Sequence, residues 1–547
     1  MRKSLYLVIV LSIALLQAPA LAGEDHHHGG GDPEKLGSVE LPNSCAPAVQ
    51  PQFSRALAML HSFWYDEAVA QFTAVAEKDP DCAMAWWGVA MSHWQPLWEP
   101  RGPNPDAFAR GADAIGRAAA TGEPGDYERG FIAALQRYYA DAESVDHLDR
   151  VLAYEAAMEA LHAVHPADTE ARVFYALSLL GSQTSLPPDK SYRRQKKAGE
   201  LLMPVFDAQP DHPGAAHYII HAYDYPALAS GALEAARSYA RIAPDSPHAQ
   251  HMPSHIFTRL GLWDESIASN RNVIRVAQKY GIVGEELHGR DYLVFAHLQK
   301  GEDEQARAIM AGMPESQPGA QLYFAGVYAH AAIPARYAVE RRQWREAARL
   351  PEPTDFPGGR YAWADAAVYF IRAVGAARTG DVAQARADGE KIQSFQRTLK
   401  EHKEDYWATQ VEIQRRAAAA WLALAEDRRE EALALMRSAA DLEDTTDKHP
   451  VTPGQIVAAR DLLGQMLMEL DRPAEAVPQF EAVLAAEPSR FGPLYGAAQA
   501  AVLAGRHELA RERYAQLVEL TGGSDREEVR LARAQLKRSA ELAALED

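Results

Sequence analysis

The 547-residue chain predicts an all-α fold, a right-handed solenoid of about ten stacked helix-turn-helix units. Ala-rich helical patterning runs through nearly all of it, and strand signals are nearly absent. A small residue, a bulky one four places later and a proline twelve places later recur along the chain. The small residue lets a neighbouring helix approach, the bulky one fills the gap, and proline ends the helix because it has no N–H to continue the ladder. Two histidine pairs, His217 and His221 in HYIIHAYD and His251 and His255 in HMPSHI, are displaced from each other by 34 residues, one structural period.

Taken in order, residues 1–22 read MRKSLYLVIVLSIALLQAPALA, with a basic start, an apolar run and a small-residue ending. That is the layout of a secretory signal peptide cleaved after Ala22, so the mature protein is expected to be periplasmic or secreted. Nothing later supplies the roughly 18 consecutive apolar residues of a membrane span. Residues 23–49 are rich in Gly and charge, include His26, His27 and His28, and read as a flexible leader. The formal net charge of -19 argues against nucleic acid and anionic membranes as partners. Cys45 and Cys82 are the only cysteines. In an exported chain they are expected to close a disulfide over the first hairpin, with free thiols or a soft-metal pair as the alternative.

Helical packing is expected from residue 50. The repeat phase fits Ala68, Phe72 and Pro80; Ala198, Leu202 and Pro210; Ala232, Ala236 and Pro244; Ala306, Met310 and Pro318; and Ala476, Phe480 and Pro488. A unit around Ser266 and Asn270 is degenerate, with polar residues at both places. The chain divides on this reading into an N-terminal and central array over 50–445, which carries the histidines, and C-terminal units over 446–547. The segment HWQPLWEPRGPNPDAF reads as an irregular loop near the concave face or its rim.

The segments LHSFWYDEAVAQFTAVAEKDPDCAMAWWGVAMS, HPGAAHYIIHAYD, HMPSHIFTRLG, DYLVFAHLQKGE and HPVTPGQIVAARDLLGQMLMELDRPAEA resemble exported bacterial tetratricopeptide-repeat proteins, a group without a settled activity. The resemblance implies that ligand-lining places lie on the first helix of each unit. Phased on Ala232, Ser266 and Ala306, those places are taken by His217, His221, His248, His251, His255, His288 and Asp291, with Asp224, Tyr225 and Arg259 beside them.

Within each pair the i, i+4 spacing puts both rings on one helix face. Stacked helices then gather imidazoles that suit copper, zinc or iron, and Asp291 or Asp224 would add oxygen. A zincin is excluded, because Tyr218 and Met252 stand where the general-base Glu would follow the first His. Two readings remain: a transition-metal protein, enzyme or carrier, built on these histidines, and a metal-free scaffold whose groove binds a peptide or partner protein.

Overall fold

The computed structural model describes residues 35–98, 102–314, 324–353 and 361–546. The expected signal peptide and His26–His28 lie outside them. Helix follows helix throughout, with no β-strand among the described residues, and each helix packs on the next in an all-α solenoid. No helix among these residues is long and apolar enough to cross a membrane.

The repeat phase explains the packing. In the Tyr65–Lys78 helix, Ala68 and Phe72 are fully buried. Phe72 presses on Gly88 of the Ala83–Trp94 helix so closely that a Cβ there would lie 2.6 Å from the ring. Phe480 repeats this between Gly464 and Gly496, where added Cβ atoms would fall 2.7 and 2.6 Å from its ring. Trp87 and Trp94 are core side chains, and Trp94 stacks on Tyr138 with centroids 3.9 Å apart.

Two features depart from the sequence reading. Residues 35–49, expected to belong to a flexible leader, form a packed strap in which Leu36, Val39, Leu41 and Cys45 are buried. Ser38 N donates to Asp211 O at 3.0 Å, and Ser44 N donates to Glu128 Oε1 at 2.8 Å. The apolar residues spaced along this segment outweigh its overall polarity. Cys45 and Cys82 are joined by a disulfide with Cα atoms 4.5 Å apart, which ties the strap to the first hairpin.

Nor is residue 446 a boundary between cores. One core runs from Leu36 to Tyr280, and a second runs from Val327 to Ala510, across 446. The C-terminal units also return to the middle of the chain. Trp263 Nε1 donates to Ser489 O at 2.8 Å, Arg490 Nε donates to Gln299 Oε1 at 3.1 Å, and Ser524 Oγ donates to Gly301 O at 2.8 Å. Gly261 has φ 67°, and a Cβ there would lie 2.5 Å from Pro488 O, so only glycine allows this approach. The C-terminal units therefore pack back on the turns and helix ends of the middle of the chain.

Candidate metal centre

Four helices supply the histidines. The Pro213–Tyr223 helix is buried on all sides from Pro213 to Ala222 and carries His217 and His221. Ser246 caps the Pro247–His251 helix by accepting from Ala249 N, and this short helix carries His248 and His251. Pro253 cannot donate an N–H, so the ladder breaks at Met252 and restarts as Pro253–Arg259, which carries His255. His288 comes from Val283–Gln299.

Six of the sequence-predicted residues fall into two sets of three. His217, His221 and His248 form one, and His251, His255 and His288 form the other. Within each set one nitrogen from every ring lies within 4.8 Å of the others, and all six residues are buried. His248 and His251 join the sets, with ring centroids 6.4 Å apart.

Hydrogen bonds fix which nitrogen of several rings faces inward. Asn270 Nδ2 donates to Ser266 O at 2.8 Å, which leaves Asn270 Oδ1 to accept from His251 Nδ1 at 3.0 Å. His255 Nδ1 donates to Asp224 Oδ2 at 3.0 Å. With both Nδ1 atoms protonated, the facing Nε2 atoms, 2.9 Å apart, present lone pairs to each other. In the other set His217 Nδ1 donates to the His61 carbonyl at 2.6 Å, and its Nε2 faces His221 Nε2 at 3.0 Å. Neither ring nitrogen of His248 has a hydrogen-bond partner, nor has His288 Nε2. Glu285 Oε1 stands 3.7 Å from His248 Nδ1.

Burial, reinforced by neighbouring imidazoles, holds His217, His221, His251 and His288 well below the usual histidine pKa. Burial takes His255 down to about 4 despite its bond to Asp224. These five rings are therefore neutral at pH 7, and with both Nδ1 atoms protonated no proton separates the facing Nε2 atoms of His251 and His255. A buried lone pair without a partner is costly, and a cation would satisfy several at once.

Asp291 and the three groove residues play other parts. Asp291 accepts from Arg336 Nε at 3.2 Å and belongs to neither set. Asp224, Tyr225 and Arg259, expected to meet a ligand, have partners within the chain. Asp224 accepts from Arg259 Nε at 2.8 Å and from Lys448 Nζ at 2.6 Å. Burial would raise the Asp224 carboxyl, but Lys448, Arg259 and His255 hold it well below the carboxylate range. Tyr225 packs on Tyr192, which itself donates to Asp447 Oδ1 at 3.4 Å.

The sequence reading missed Phe63 and Tyr292 among the walls of the site. Phe63 lies 4.4, 5.5 and 5.9 Å from the rings of His217, His221 and His248. Trp98, from the irregular loop, lies 5.3 Å from His248. Tyr292 places its hydroxyl 3.3 Å from both nitrogens of His255. Lys448 and His449 also line an aromatic-walled cleft with Tyr328, Trp363, Tyr406 and Trp407. A third buried group, His61, Glu170 and His212, is closed on itself, with Glu170 oxygens 3.0 and 2.8 Å from the two rings. Its part is to brace His61, whose carbonyl orients His217.

Comparison with known proteins agrees with this architecture. The tetratricopeptide repeat profile matches residues 65–95 and 462–525, so the chain carries repeats of the class used as protein-binding scaffolds. No curated protein matches the chain. Among solved structures, the P58(IPK) TPR domain matches at 14% identity, covering 67% of this chain and 99% of that one, with a TM-score of 0.21. The Naa15/Naa10 complex bound to HypK-THB matches at 12% identity, covering 91% and 74%, with a TM-score of 0.24. Scores this low add nothing to the fold, which rests on the stacked hairpins themselves.

Proposed function

We propose that this protein is an exported helical-repeat protein that binds transition metal through the histidines of the Pro213–Tyr223, Pro247–His251, Pro253–Arg259 and Val283–Gln299 helices. The observation that carries this reading is the His251–His255 pair, whose Nε2 atoms face each other at 2.9 Å while both Nδ1 atoms are committed elsewhere. Hydrogen bonds from ligating histidines to an amide, a carboxylate or a carbonyl are the second layer that metal sites use to set ring orientation. Export is supported by the basic-then-apolar N-terminus and by the disulfide, which persists in oxidising compartments.

Elemental analysis of the untagged mature chain tests it, beside a variant with His217, His221, His251 and His255 changed to Ala. Transition metal in the parent, absent from a folded variant, is the expected result. A metal-free parent that stays metal-free after reloading would overturn the reading.

The tetratricopeptide match favours a scaffold role as well. Because segment 447–449 covers the Asp224 layer, a partner protein would dock elsewhere on the repeats. Capture of a defined partner from periplasmic extract, undiminished by the histidine substitutions, is the result that reading expects.

A further inference from the structure

We propose that the six histidines form two adjacent copper sites, one ion to each set of three, rather than one shared site. The inference rests on the metal-binding reading and deepens it.

The arrangement supports two ions in three ways. The sets are separate: three nitrogens converge within 4.8 Å in each, and no such group spans both. The ligands are divided evenly by one short helix, which sends His248 to one set and His251, three residues on, to the other. Each set also contains a buried histidine with an unpartnered nitrogen. His248 lacks partners at both nitrogens and His288 lacks one at Nε2, and these residues are only 4% exposed. One ion would leave one of these two orphaned.

The donor chemistry selects the metal. Both sets are purely imidazole, a ligand type shared by copper, zinc, iron and nickel. Charge separates these candidates. Neither set contains a carboxylate or thiolate, and the walls are the rings of Phe63, Trp98 and Tyr292; Glu285, 3.7 Å from His248 Nδ1, adds one negative charge beside the first set, enough to balance a single monovalent ion. Asp224 is already paired with both Arg259 and Lys448, and Asp291 with Arg336. Burying cations without counter-charge is expensive. Two Cu(I) ions bring half the charge of two zinc or ferrous ions, and their repulsion is a quarter as large at equal separation. Three neutral imidazoles also complete a coordination shell for Cu(I), which needs no further anion.

The test is an anaerobic Cu(I) titration of the full mature chain against the chromophoric competitor bicinchoninate. His26, His27 and His28 are changed to Ser so that the leader contributes no binding. The expected result is two equivalents per chain, falling to one in His248→Gln, one in His288→Gln and none in the double variant, with unchanged circular dichroism. X-ray absorption on the copper-loaded parent gives a check independent of any variant, with about three nitrogen donors per copper expected and a four-nitrogen shell counting against the assignment. One equivalent in the parent, lost in either single variant, would overturn the paired site and leave the metal-binding reading standing. No binding of Cu(I) or of zinc would overturn both. Two equivalents of zinc retained against excess Cu(I) would overturn the choice of copper alone.

Discussion

His251 and His255 meet Nε2 to Nε2 at 2.9 Å, while their Nδ1 atoms donate outward to Asn270 and Asp224, each at 3.0 Å. Asn270 therefore sets the tautomer of His251, since its own amide is fixed by donation to Ser266 O. Asn270→Ala frees that ring to rotate or to protonate at Nε2. The expected loss of metal affinity is about 10–100-fold, the usual range for such supporting partners, read by chelator competition on protein whose melting curve shows it folded. Unchanged affinity would mean that Asn270 does not orient the ligand.

Asp224 is the counter-charge for two buried cations. Arg259 and Lys448 both donate to it, and the Lys448 and Arg259 side chains are 2% and 6% exposed. Asp224→Ala strands both charges, and removal of one partner from a buried ion pair costs about 3–5 kcal/mol. Lys448→Met leaves Asp224 with Arg259 and His255 and is expected to cost clearly less. Urea unfolding of the two variants checks the order, and equal costs would contradict it.

Much of the repeat pattern was legible in the sequence, because Ala68 with Phe72 and Ala476 with Phe480 obey a local packing rule that needs no knowledge of the rest of the chain. The displacement of His217 and His221 by one period also placed His251 and His255 at equivalent points, and the same register brought in His248 and His288. Asn270 had a signal too: a polar residue at a place reserved for a bulky apolar one. Register assigns a residue to a helix face but not the rotation of its ring, so the division into two sets could not be read. Lys448 was out of reach for a different reason. It lies 224 residues from Asp224 in sequence, and only the curvature accumulated over the intervening hairpins brings them together. The same return of the chain supplied Asp224, expected to meet a ligand, with a partner from within the protein.

Glu443 gives a pH signature away from the histidines. Its carboxyl accepts from Ala459 N at 2.7 Å beside the aromatic cleft, and burial raises it to about 8. Between the ordinary glutamate pKa of about 4.3 and pH 8 the folded chain then holds a proton that the unfolded chain has released. Stability falls with rising pH where the native state binds more protons, so this residue's contribution is complete below the unfolded pKa and is lost as pH approaches 8. Glu443→Gln keeps an oxygen for Ala459 N and cannot titrate. Its melting temperature relative to the parent is expected to rise steadily from pH 5 to pH 8, and a constant difference would show that Glu443 ionises normally.

The Cys45–Cys82 bond closes a loop with a sequence separation of 37 residues. Chain-entropy arguments put the stabilisation from such a loop at about 4 kcal/mol, acting mainly on the unfolded chain. The Cys45→Ser, Cys82→Ser double variant is therefore expected to unfold at clearly lower denaturant concentration. The strap has other anchors, however: Ser38 N on Asp211 O, Ser44 N on Glu128 Oε1 and Ala46 N on Asp79 Oδ2. If the bond works through the unfolded state, limited proteolysis under native conditions should cut residues 35–49 no faster in the variant than in the parent. Rapid cleavage there would show instead that the disulfide is what holds the strap in the native state.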